Sequence, residues 1–193
     1  MATTQEISTI VNGVPVCDLY ATIDAVKTTP SLAKFKFRIS NQWQGGSCNL
    51  STVGPFTGAN QELAHPRPFV LEADEPEVLL GRDLAANPVE YLLHALASCV
   101  TTSMVYHAAK RGIHIHQVES FIEGDLDLYG FLDLDEGVRK GFKEIRMHFK
   151  MDADVPEERL QEVFELGTGH SPVFDSLTNG VPVKVTAEAR RFV

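Results

Sequence analysis

The chain has 193 residues, 44% hydrophobic and 22% charged, with a formal net charge of −9. This suits one globular domain, or at most two small ones, with a substantial core. The negative balance argues against nucleic acid and anionic membrane surfaces, since both require a basic patch.

In chain order, residues 1–11 carry no pattern and are expected to fray. Asn12-Gly13 is a turn signal, and residues 18–27 form a short helix with Leu19, Ile23 and Val26 on one side, ended by Thr28-Thr29-Pro30. Residues 34–43 then alternate, with Phe35, Phe37 and Ile39 on one face and Lys36, Arg38 and Ser40 on the other, which is strand periodicity. Gly45-Gly46 breaks that strand, and 47–56 returns as its hairpin partner. Residues 58–68 read as a loop, 69–72 as a short strand stopped by Asp74-Glu75-Pro76, and 80–86 as a loop. Residues 1–30 are thus an extension with a short helix, and 31–193 the main domain.

Residues 87–112 organise that domain. Asn87 suits an N-cap, Pro88 the first helical position, and Glu90 the third, where its carboxylate reaches back to the cap. Gly112 suits the left-handed closing position. No Asp, Glu, Lys or Arg occurs between Tyr91 and Ala109. At 100° per residue, Leu92, Ala95, Leu96, Ser103 and Tyr106 gather around Cys99, while Leu93, Ala97, Met104 and Ala108 line the opposite side. A helix apolar on two sides is expected to be buried at the centre of the fold. Two His, two Ser and two Thr interrupt it, so a membrane span is excluded.

Beyond Gly112 the pattern turns to strands at 118–128 and 144–151, separated by an acidic loop at 129–141. Asp154 is the expected cap of a second helix, with Leu160, Val163 and Phe164 as its apolar stripe and Gly167-Thr168-Gly169 at its end. Ser171-Pro172 starts a third helix reaching Leu177, Asn179-Gly180 turns, and Val181, Val183, Val185 and Ala187 form a last alternating strand. Hairpins outnumber crossovers, so the fold class is α+β.

Three cysteines (Cys17, Cys48 and Cys99) are an odd number with no CxxC spacing. Disulfide frameworks, zinc ribbons and thioredoxin-type motifs are therefore not indicated, and a reducing cytoplasm is the expected location. Cys99 is the first candidate nucleophile; about three turns into its helix, it needs a cation from elsewhere in the fold. Its alternative reading is a small buried hydrophobe. His114 and His116 share one side of a strand but lack a supporting ligand pattern, so no metal is expected. Asp74-Glu75 and the acids at 133–136 read as solvating turns. No GxSxG, P-loop or GxGxxG motif occurs, and no cofactor is expected.

Asn87-Pro88 followed by Cys99 in an Ala/Leu-rich helix resembles the OsmC/Ohr family, the osmotically induced and organic-hydroperoxide-resistance proteins. The Gly45-Gly46 hairpin, the acidic-capped helix, Ser171-Pro172-Val173 and the terminal strand extend the likeness over residues 35–187. The resemblance implies an OsmC-like fold of antiparallel sheets around a long central helix, and an intertwined homodimer with sites at the interface. It also implies that Cys99 attacks the peroxide O–O bond, that a second cysteine resolves the sulfenic acid, and that an Arg–Glu pair supports the thiolate. Ser171 stands where the family has its resolving cysteine, Val89 where it has the glutamate, and Ser47 where it has the arginine. The residues expected to line the site are Cys48, Glu90, Ser171, His170 and Arg38, with Cys48 the candidate resolver and Arg67 and Arg82 further candidate cations. The expected function is reduction of a small apolar hydroperoxide with an external thiol reductant. The alternative is a non-catalytic binder of a small apolar ligand in the same pocket.

Overall fold

Asn12 and Gly13, at φ 53° and 76°, form a left-handed turn that joins strand β1 (Ile10–Val11) to β2 (Val14–Pro15). The computed structural model describes residues 9–189. The fraying expected for 1–11 therefore fails at Ile10 and Val11, and residues 1–8 lie outside the described residues. Burial explains the order. Val11 and Val14 are covered by Ala109, and the Asn12 side chain clamps the next connection, donating to the Ile113 carbonyl at 3.0 Å and accepting from the Ile115 amide at 2.8 Å. Helix α1 (Val16–Thr28) follows, with Val16 and Leu19 against the same small cluster.

Strand β3 (Ile39–Gly45) begins later than the alternation suggests. Lys36 instead makes an isolated antiparallel bridge with Thr57, so the stretch before Ile39 meets the chain at 56–58 rather than 47–56 as a whole. Gly45 and Gly46, at φ 100° and 58°, turn the chain into β4 (Cys48–Val53). The stretch 58–68, read as loop, contains half of a hairpin, β5 (Phe56–Gly58) with β6 (Gln61–Leu63). Its turn residues Ala59 and Asn60 both take positive φ, and alanine there gives no sequence signal. Strand β7 (Val70–Ala73) completes an antiparallel sheet of order β3-β4-β7.

Helix α2 (Pro88–Lys110) starts with the expected reciprocal cap. The Glu90 amide donates to Asn87 Oδ1 at 2.9 Å, and the Asn87 amide donates to Glu90 Oε2 at 2.8 Å. Gly112 closes the helix at φ 67°. The long hairpin β8 (Ile115–Asp125) and β9 (Glu144–Ala153), with the short α3 (Leu128–Phe131) between, supplies an apolar face. Val118, Ile145, Met147, Phe149 and Met151 pack on the α2 stripe Leu96, Val100, Met104 and Ala108. Helix α4 (Glu157–Gly169) covers the same stripe through Val163, and Gly167 lets it approach closely. A Cβ at Gly167 would lie 3.0 Å from the Val100 carbonyl oxygen.

Three expectations need correction. Asp154 does not cap α4, where Pro156 takes the cap position; it bonds His116 across 2.7 Å instead. Helix α5 (Pro172–Thr178) is present as expected, but residues 181–187 pair with no strand among the described residues, and Val183 and Val185 are 81% and 85% exposed. Helix α2 is not buried on both sides: its covered stripe is the Val100 and Met104 side, whereas Tyr106 is 48% exposed on the side of Cys99. No helix among the described residues is long and apolar enough to cross a membrane.

Candidate functional site

Cys99 is half-buried on α2 and has no side-chain hydrogen bond among the described residues. Leu92 and Leu96, seven and three positions before it and therefore on its face, border a cavity of about 660 Å³. Phe142, Phe149, Phe164 and Phe174 make most of that cavity apolar, with Lys143 and Glu144 at its polar part. Cys99 itself is not among the lining residues. One turn further along, Ser103 Oγ donates to the His170 carbonyl at 3.2 Å and ties the start of the Ser171-Pro172 segment to α2. Ser171 is buried, and its Oγ accepts from the Phe174 amide at 3.2 Å as the N-cap of α5. The position that would hold a resolving cysteine therefore carries a structural hydroxyl.

The other residues expected here have different partners. Glu90 is committed to the Asn87 cap. Arg38 donates to Glu62 at 2.9 Å and to Thr57 at 3.1 Å, beside β5 and β6. Arg67 lies over the Phe69 ring. His170 stacks on His107 with ring centroids 3.8 Å apart. His170 Nδ1 sits 3.0 Å from the Leu166 carbonyl, an acceptor only, so that nitrogen carries the proton. Burial first, then the charges of His170, Arg111 and Lys110, holds His107 below the ordinary histidine value. No group of His, Cys, Asp or Glu among the described residues could hold a metal ion.

The arginine that meets a thiol is Arg82, and the thiol is Cys48. Arg82 Nη2 donates to Cys48 Sγ at 2.9 Å. Asp74 organises the loop that makes this contact. It is 1% exposed and accepts from Ser47 Oγ at 2.5 Å and from the amides of Glu75, Arg82 and Leu84 at 2.9, 3.1 and 3.4 Å. The Ser47 hydroxyl, followed by the backbone amides, holds its carboxyl far below the usual carboxylate range against the opposing effect of burial. Reading Asp74 as a solvating turn acid was therefore wrong. Its role depends on contacts with residues up to 27 positions away, which leave no local pattern. Cys48 borders a second cavity, of about 260 Å³, and neither cavity is lined by both Cys48 and Cys99.

Comparison with known proteins bears on these positions. The family model described as OsmC-like protein matches residues 81–186, which include Arg82, Cys99 and Ser171 but not Cys48. Among solved structures, the chain is similar to an OsmC-like protein from Mycoplasma pneumoniae at 16% identity and TM-score 0.56, covering 74% of this chain and 86% of that one. It is similar to a putative osmotic stress induced and detoxification response protein from Psychrobacter arcticus at 15% identity and TM-score 0.54, covering 74% and 88%. It is also similar to an organic hydroperoxide resistance protein OsmC, a predicted redox protein, from Legionella pneumophila at 17% identity and TM-score 0.51, covering 77% and 93%. Comparison with curated proteins finds no match. The structural likenesses establish the α+β fold, and a family model spanning more than half of the residues establishes the rest: the chain belongs to the OsmC-like protein family.

Proposed function

We propose that this chain is a thiol-dependent redox protein that reduces small apolar hydroperoxides at Cys99. The observation that carries the reading is the docking of the Ser-Pro segment on α2. The Ser103–His170 bond places that segment one turn from Cys99, on the helix face whose Leu92 and Leu96 border the larger apolar cavity. The Legionella neighbour's description as an organic hydroperoxide resistance protein supports the substrate class.

The chemistry needs only the one sulfur. The Cys99 thiolate attacks a peroxide oxygen, the S–O bond forms as O–O breaks, and the departing alkoxide takes a proton to leave as alcohol. Sulfur is oxidised to a sulfenic acid. With serine at 171, reduction falls to an external monothiol. The first molecule expels water and forms a mixed disulfide, and the second releases Cys99 and a small disulfide. Slow reduction leaves the sulfenic acid open to further oxidation to sulfinic acid.

The working unit in this reading is a homodimer. Val181, Val183 and Val185 are exposed at 55%, 81% and 85% in a segment of strand-like alternation without a strand partner among the described residues. The Cys99 side of α2 is likewise incompletely covered. A second copy supplies cover for both.

One observation favours the alternative of a non-catalytic binder. The larger cavity is apolar and is lined by no cysteine. Turnover separates the two: peroxide consumption with excess monothiol, lost in Cys99→Ala, supports the redox reading. No consumption by the wild type, with retention of an apolar fluorescent probe in the cavity, leaves the binder.

A further inference from the structure

From the geometry around Cys48 we infer a second reactive thiol site, separate from Cys99, in which Arg82 holds the Cys48 sulfur ready for small polar peroxides. Three features point there together. Arg82 forms no salt bridge among the described residues, and its guanidinium makes its side-chain hydrogen bond to Sγ, so its charge is directed at sulfur. The loop that delivers it is fixed by a buried carboxylate, since Asp74 binds the amides of Arg82 and Leu84. Cys48 and Arg82 both line the cavity of about 260 Å³, whose lining also includes Gln44, Asn49 and Glu72. That lining has no aromatic side chain, unlike the phenylalanine-rich larger cavity, and its small size and charged groups suit a small polar peroxide.

Two carboxylates share the site with the sulfur and the guanidinium. Asp74 and Glu72 both border the cavity that Cys48 lines. The Asp74 charge is spread over a hydroxyl and three amide donors, while the Arg82 charge meets the sulfur directly. Reactive cysteines sit in electropositive surroundings, and Arg82 is the cation in contact with this sulfur.

The step balances with hydrogen peroxide. Cys48 thiolate attacks one oxygen, an S–O bond forms and the O–O bond breaks. Sulfur is oxidised to the sulfenic acid, peroxide is reduced, and the leaving hydroxide takes up the proton that the thiol released to solvent and departs as water. A low-molecular-weight monothiol then expels water to form a mixed disulfide, and a second equivalent returns the free thiol as a small disulfide.

Cys17 supplies an internal reference, being exposed and without a hydrogen-bonded side chain among the described residues. The full-length protein is treated at pH 6.5 with limiting iodoacetamide, and each cysteine peptide is quantified by mass spectrometry. Cys48 is expected to label at least about tenfold faster than Cys17 although Cys17 is more exposed. Arg82→Gln should erase that excess and Arg82→Lys should keep part of it. Hydrogen peroxide with dimedone should then trap Cys48 as its sulfenic acid in the Cys99→Ala protein, which has no part in this site. Labelling of Cys48 at or below the Cys17 rate overturns the inference, as does an excess that survives Arg82→Gln. Failure to trap Cys48 overturns the peroxide assignment. Should Arg82→Gln disturb the fold, the labelling of half-buried Cys99 rises in the same digest, and Arg82→Lys decides.

Discussion

Ser171→Cys places a second thiol in the segment docked one turn from Cys99, and its consequence has a definite size. Ser171 is 2% exposed and caps α5 through the Phe174 amide at 3.2 Å. Weakening that cap costs about 1 kcal/mol in the reduced protein. A bond to Cys99 closes a loop of about 70 residues, which on the loop-closure model stabilises the oxidised protein by about 4 kcal/mol. The net gain over the wild type of about 3 kcal/mol corresponds to roughly 6–12 °C in Tm for a chain of this length, and the drop on reduction, where the cap loss cancels, to roughly 8–16 °C. The assay adds one equivalent of cumene hydroperoxide, maps peptides without reductant, and compares calorimetric Tm before and after reduction. The expected result is a 99–171 crosslink, a raised Tm that falls on reduction, and less sulfinic acid at Cys99. Oxidation of Cys99 with position 171 still free would refute the reasoning, because the docked segment would then lie out of reach of the sulfur.

Met104 is fully buried between α2, α4 and the β8–β9 hairpin, and Met104→Ala should cost about 2–5 kcal/mol, seen as a lower urea midpoint with unchanged slope. His107 and His116 should give stability profiles of opposite sign. His107 is held low, so below about pH 6.5 the unfolded chain takes up a proton that the folded chain resists, and stability falls; His107→Gln should flatten this loss. His116 is raised by its bond to Asp154, so its contribution is full below about pH 6.5 and fades as pH rises through the raised value; His116→Gln should remove it. Light scattering at micromolar concentration should report a dimer, and Val183→Glu should shift it toward monomer; a monomeric wild type contradicts the proposed assembly.

The features legible in the sequence were those written in short-range pattern. The Asn87–Glu90 cap, the Gly112 stop, the Gly45-Gly46 turn and the alternation through Ile145, Met147, Phe149 and Met151 all appear where periodicity and turn chemistry put them. The hairpin at 56–63 escaped because its turn uses Ala59. Asp154 looked like a cap because acid followed by Pro-Glu-Glu is a helix-start pattern, but a cross-strand histidine claims it. The two-sided apolar character of α2 was read as burial, yet periodicity shows which faces are apolar and not which are covered by the same chain. Family spacing pointed to Cys99 and Ser171 as site positions, and the Ser103–His170 bond brings their two segments together. Nothing local could show that Arg82 reaches Cys48, because the two are 34 positions apart and meet through a loop held by Asp74.

Cumene hydroperoxide turnover with excess monothiol, measured for the wild type and Cys99→Ala with dimedone mapping of every cysteine, tests the assignment of the reactive sulfur. Wild-type protein should consume the peroxide and carry dimedone on Cys99, and Cys99→Ala should lose that turnover while keeping its thermal transition. Undiminished turnover in Cys99→Ala, with no dimedone on Cys99 in the wild type, would contradict it.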